Sequence, residues 1–240
     1  MTLPKLTDTP RYDIIIPSNG VSTQYRPYLV REEKVLLIAL ESEDQKQILN
    51  ATINLITACL NDDINVSKLT TYDIEYLFLQ IRAKSVGESI SLNVICQEDE
   101  CEELTEIQVA LDDVKVSVFD NKNRNIQLTD SVSVEMRHLP YSEAISNSKI
   151  LEPDSFAEQM FNTVISCIDA VCTEEERILA SDSTREELEE FVEALTSKQF
   201  SLMRDFVEST PTITKLVEFK CNKCGADNNY RLSGLQDFFE

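Results

Sequence analysis

One histidine, no tryptophan and four glycines stand in this 240-residue sequence, and each shortage closes off a class of function. A Cys-His or Ser-His pair would have to use His138, in Met136-Arg137-His138-Leu139-Pro140, and no nucleophile elbow surrounds it. The sequence therefore predicts a structural histidine at the surface or half buried. Gly20, Gly87, Gly225 and Gly234 are dispersed, whereas a phosphate-cradling loop needs clustered glycines that let backbone approach the anion. Basic charge is scarce: 22 Lys and Arg face 43 Asp and Glu, for a net charge of −21. The bases are scattered singly, so phosphate-rich partners are repelled and direct nucleic-acid binding is not expected. No run of 18 apolar residues is present, which predicts no membrane span. Met1 to Thr9 has neither a basic head nor an apolar signal core, and the expectation is a protein that stays in the cytosol where it is made. Acidic neighbours such as Asp62-Asp63, Asp112-Asp113 and Glu186-Glu187 read as helix caps or solvated faces in so acidic a chain. The sequence predicts no enzyme.

What it does have is cysteine in pairs. Leu216-Val217-Glu218-Phe219-Lys220 reads as a strand entering the tight turn Cys221-Asn222-Lys223-Cys224-Gly225, a form that presents two thiolates to one metal. Tetrahedral zinc takes four ligands, and the other candidate pair is Cys96 and Cys101, at the end of the strand-like run Asn93-Val94-Ile95. A shared structural zinc on Cys96, Cys101, Cys221 and Cys224 would fold the end of the chain back onto its middle. A closed four-thiolate site leaves no position for water, so such a zinc would not be catalytic. The competing reading is a set of ordinary reduced thiols at strand ends. A redox dithiol fits less well, because those open a helix whereas Asn228 to Leu232 look like a returning strand. Cys59 and Cys167 fall on apolar helical faces and Cys172 at a helix end, as buried reduced thiols rather than a disulfide framework.

With 42% hydrophobic residues the chain can fill a core, and its periodicities predict an α+β protein folding as one unit over 1–240. Region 1–87 reads as an N-terminal hairpin, Tyr12 to Pro27 around an Asn19-Gly20 turn, followed by helices over Arg31 to Glu41, Asp44 to Leu60 and Thr71 to Lys84. In the last of these Ile74, Leu77, Phe78 and Ile81 mark one inward face. Region 88–138 alternates with period two and is expected to form one central antiparallel β-layer. Region 153–210 reads as three C-terminal helices: capping-box spacing at Ser155 to Glu158 opens a stripe of Phe156, Met160, Val164, Ile168 and Val171. Thr184 to Glu187 opens a second, and Phe200, Met203, Phe206 and Val207 mark a third. Region 212–240 is the cysteine hairpin, expected to pack back on 88–110 in zinc-ribbon-like closure. Leu235, Phe238 and Phe239 are three large apolar residues close together, and either form a docking patch or fold back as core.

The order of these features is similar to that of the T4-type bacteriophage baseplate hub assembly proteins. It rests on Arg26-Pro27 after the hairpin, the Arg31 to Glu43 segment, and Asp73 through Ile81-Arg82-Ala83-Lys84-Ser85-Val86-Gly87-Glu88. The strand ending at Cys96 and the Cys221-x-x-Cys224-Gly225 turn leading to Phe238-Phe239 complete it. The resemblance implies a hub subunit or an assembly chaperone that contacts phage baseplate hub proteins, working in the host cytoplasm during assembly or carried in the virion tail. Its partner-binding residues would be Leu235, Phe238 and Phe239, together with the exposed edge of the β-layer. The alternative is an acidic zinc-ribbon regulator that binds host transcription or replication machinery by mimicking nucleic acid.

Overall fold

The computed structural model describes residues 9–61, 64–98, 101–111, 114–117, 124–151, 154–234 and 236–238. In chain order the elements begin with β1 (Tyr12–Ile15), β2 (Ser22–Tyr25), α1 (Val30–Glu41), α2 (Gln45–Cys59), α3 (Thr71–Ser85), β3 (Ser89–Ile95), β4 (Leu104–Ala110) and β5 (Lys115–Val116). Next come β6 (Asn125–Gln127), β7 (Ser133–Met136), α4 (Tyr141–Ser146), α5 (Ser148–Leu151), α6 (Phe156–Ser166), β8 (Ile168–Cys172) and β9 (Arg177–Leu179). Helices α7 (Arg185–Glu193) and α8 (Ser197–Glu208) and strands β10 (Ile213–Lys220) and β11 (Asp227–Ser233) complete the order. The protein is a mixture of helices and small antiparallel sheets, arranged as two compact units: Met1–Ser117 with Thr212–Glu240, and Val118–Pro211. Among the described residues no helix is long and apolar enough to cross a membrane.

In the first unit β1 and β2 pair antiparallel with Tyr12 opposite Tyr25. Gly20 takes φ +70° in their turn, a conformation open to glycine, and Asn19 Oδ1 accepts the Val21 N–H at 2.9 Å. Helix α1 starts where Glu32 reaches back to accept the Leu29 N–H at 2.6 Å and the Arg26 guanidinium at 3.2 Å. Asp44 caps α2 by accepting the Gln47 N–H at 3.1 Å. Thr70 and Asp73 cap α3 reciprocally. The expected single inward face of α3 is too narrow, since Tyr72, Leu79 and Ala83 are buried beside Ile74, Leu77, Phe78 and Ile81. A helix apolar on most sides occupies the middle of its core.

Strands β3 and β4 form a two-stranded ladder from Ser89 opposite Ala110 to Ile95 opposite Leu104, with inward and outward residues alternating. Strand β5 pairs with β10 instead, and β10 pairs along its length with β11. One core takes side chains from α3, both hairpins and the terminal turn, among them Leu79, Leu92, Val109, Val217, Leu232 and Phe238.

The second unit corrects several expectations. The stretch 88–138 is not one layer: β6 and β7 belong to a separate sheet of order β6-β7-β8-β9, antiparallel throughout. Period-two alternation marks a strand but says nothing about its partner. Nor do Ile168 and Val171 continue a helix. Helix α6 stops at Ser166, where the Cys167 N–H bonds back to Thr163 and Val164, and Ile168 to Cys172 form β8, with Cys172 on a strand rather than at a helix end. Ile168 and Val171 continue the stripe of Phe156, Met160 and Val164, but the free edge of β7 captures them, pairing Met136 with Ile168. Helices α6 and α8 share a core with that sheet through Val164, Ile165, Met203 and Phe206. His138, expected at the surface or half buried, is 5% exposed and its ring stacks on Phe206 at 5.1 Å between centroids.

Candidate metal centre

Two hairpin turns build the site, both in the first unit. Beyond β3 the Cys96 N–H bonds to the Glu103 carbonyl at 2.9 Å, carrying the ladder one step past Ile95 and Leu104, and the Cys101 N–H bonds to Glu98 at 3.2 Å. Beyond β10 the Cys221 N–H bonds to Ala226 at 2.9 Å and the Gly225 N–H to Cys221 at 3.0 Å. In each turn the residue after the second cysteine swings into the left-handed region: Gly225 at φ +74° and Glu102 at φ +40°. Glu102 takes this conformation without being a glycine, at the strain that a Cβ imposes there.

The structure brings Cys96, Cys101, Cys221 and Cys224 together, with all four sulfurs within 4.8 Å of one another. The Cys96 and Cys224 sulfurs are 3.6 Å apart, as are those of Cys101 and Cys221, so each close pair takes one sulfur from each hairpin. All four are free thiols; Cys96, Cys101 and Cys221 are buried and Cys224 is exposed. A disulfide would need about 2.05 Å. Four sulfurs at about 2.3 Å from a tetrahedral ion stand about 3.8 Å from one another, so the observed spacing fits a metal held by all four. An all-thiolate tetrahedral set is a soft donor set, the kind that takes zinc or an iron–sulfur centre.

The sulfurs differ in their surroundings. The Cys221 thiol is drawn down to about 6, by the backbone N–H of Cys224 first and that of Lys223 after it, against the opposing effect of burial. The Lys223 N–H lies 3.4 Å from that sulfur. Burial pushes the Cys101 thiol up to about 12. Removal of protons from ligands is part of metal capture, so this centre would lose its ion on acidification. Lys223 and Glu103 approach to 3.9 Å across the two turns, and Asn228 reaches from β11 to the first turn, its Oδ1 accepting the Gln97 N–H at 2.7 Å.

A family model described as T4 bacteriophage base plate protein matches residues 9–240. The chain belongs to that family. Comparison with curated proteins and with solved structures finds no match. Membership makes this a phage baseplate protein, as the resemblance implied, and nothing in it points to host transcription or replication machinery.

The residues expected to dock a partner fare differently from the cysteines. Phe238 is 1% exposed in the core of the first unit, so its side chain packs inward rather than presenting a surface. Its turn is pinned by Asp237, which accepts the Ser233 N–H at 2.7 Å. Leu235 and Phe239 lie outside the described residues. Two features went unmarked in the sequence. Asn228 carries no motif signal, because its role depends on a turn 132 positions away. Helix α1 did carry one: Val35-Leu36-Leu37-Ile38-Ala39-Leu40 has more apolar positions than one buried stripe requires.

Proposed function

We propose that this baseplate protein is a non-enzymatic hub subunit or assembly chaperone, acting through protein–protein contacts in the host cytoplasm, with a structural zinc on Cys96, Cys101, Cys221 and Cys224. A closed four-sulfur site contributes folding free energy and presents no open position for chemistry.

The observation that supports the contact role is the outer surface of α1. Leu36 and Ala39 are buried, while Val30, Val35, Leu37, Ile38 and Leu40 are 46% to 78% exposed. Scattered exposed aliphatics are ordinary, but five on one twelve-residue helix, with only Leu36 and Ala39 buried, are a concentration that supports a contact role. A second copy is a poor occupant, because two chains of net charge −21 repel. The occupant is another baseplate hub component with an apolar groove ending in basic residues. Those bases meet Glu41, Glu43 and Asp44 at the C-terminal end of α1, whose last turn holds no base of its own.

The test uses tagged parent chain and a Leu37→Ser/Ile38→Ser variant recovered from infected cells at low and high salt, with native mass spectrometry of what co-purifies. Hub components retained by the parent at high salt, and lost by the variant with its melting temperature unchanged, support the assignment. Apolar contacts survive salt that screens charge. Recovery instead of host polymerase or replication proteins that salt releases would overturn it in favour of the acidic regulator, and equal hub capture by both chains would remove α1 from the interface.

A further inference from the structure

A side-chain amide is seldom buried unless its polar atoms are bonded, because stripping it of water costs free energy. Asn228, on β11, is 4% exposed, and each end of its amide is engaged. Oδ1 accepts the Gln97 N–H at 2.7 Å, and Nδ2 donates to the Ala226 carbonyl at 3.0 Å and to the Cys96 sulfur at 3.7 Å. The first two bonds settle which end of the amide faces the sulfur. They also join the hairpins, since Cys96 and Gln97 belong to the first turn and Ala226 to the second.

The two turns treat their leading cysteines differently. The tight second turn folds its own Lys223 N–H onto the Cys221 sulfur. In the wide first turn, among the described residues, no backbone N–H is given to the Cys96 sulfur, and Asn228 brings a donor from the other hairpin. Donation to a thiolate stabilises the anion, and a sulfur held by a directed bond keeps its position as a ligand.

We propose that Asn228 is the positioning residue of the metal centre: its amide docks the first cysteine turn on the second and holds the Cys96 thiolate in place. The role rests on the four thiolates taking a metal. It is distinct from that of the cysteines, because Asn228 acts through Cys96 without touching the ion.

The experiment titrates zinc and cobalt(II) into full-length parent, Asn228→Asp and Asn228→Ser. Aspartate keeps the shape and an acceptor for Gln97 but turns a negative charge on the sulfur; serine removes both arms and adds no charge. Zinc affinity should fall about 10- to 100-fold in both variants, the usual consequence of losing a partner that orients a ligand. In Asn228→Ser the thiolate-to-cobalt charge-transfer band should move to longer wavelength, because a thiolate without its donor gives up an electron more easily. A general loss of packing would not shift that band in metal-loaded protein with parental circular dichroism. Affinities within twofold of the parent and an unmoved band in both variants would overturn the role of Asn228 alone. A parent that binds neither ion and gives no thiolate band would overturn the metal centre beneath it.

Discussion

Cys59 ends α2 at 1% exposure, with Arg26 Nη1 3.8 Å from its sulfur. Burial pushes its thiol up to about 11 from the ordinary 9.0, against the pull of Arg26. The folded chain thus holds this proton to higher pH than the unfolded chain does. The stability Cys59 contributes is complete below about pH 9 and is lost as pH rises through about 11. Between about pH 8 and about pH 10.5 the denaturation midpoint of the parent should fall more steeply than that of Cys59→Ala. Parallel slopes would show that the proton is held equally by both states. At this scale the sequence was legible where chemistry is local. The C-x-x-C-G turn and its C-x4-C partner were visible because each pair is set by a few neighbouring residues. The Asn228 amide was not, since an asparagine on a strand looks the same whether it faces water or a distant sulfur. Phe238 had two readings open, and nothing short of the packed core distinguishes them.

Between elements, the tie that stands out is Asp73. It is fully buried in the first turn of α3 and accepts three bonds: the Thr70 N–H at 3.1 Å, the Thr70 hydroxyl at 2.6 Å and the Ser18 N–H at 2.9 Å. The last links the β1–β2 turn to the helix cap, so one carboxylate fixes both. Asp73→Ala should cost about 2–4 kcal/mol, more than a helix cap alone, because it also orphans a loop donor. Urea denaturation measures this, and a loss under about 1 kcal/mol would mean that water replaces those bonds freely. Helices α2 and α3 were readable from the helical spacing of their apolar residues, and α7 from its start signal at Thr184 and Glu187. Strand β8 was not, because Ile168 and Val171 satisfy a helical period as well as an extended one. Only the neighbouring Val134 and Met136 on β7 decide between them. The division of 88–138 among three sheets was hidden for the same reason, since pairing is a long-range property.

Taken whole, the chain is one unit interrupted by another. Residues Val118–Pro211 leave the first unit at Ser117 and return to it at Thr212, and those two positions are hydrogen-bonded: Ser117 N–H to the Thr212 carbonyl at 2.9 Å and Thr212 N–H to Ser117 Oγ at 3.0 Å. Ends this close can be joined by a two-residue Asn-Gly turn in place of the insertion. The shortened chain should fold cooperatively and take up metal as the full chain does, read by circular dichroism and native mass spectrometry. A product that is unfolded, or free of metal where the full chain binds it, would show that the first unit depends on the inserted one.

The same interruption sets a clock. Cys101 and Cys221 are 120 positions apart. At about 5–20 residues per second a ribosome takes roughly 6–24 s to travel from one to the other. During that interval the first cysteine turn waits in the cell without its partner, while the whole of the second unit is being made. The four-sulfur cluster can therefore assemble only after the intervening residues have been translated, and a chain halted between the two turns carries just two of the four sulfurs.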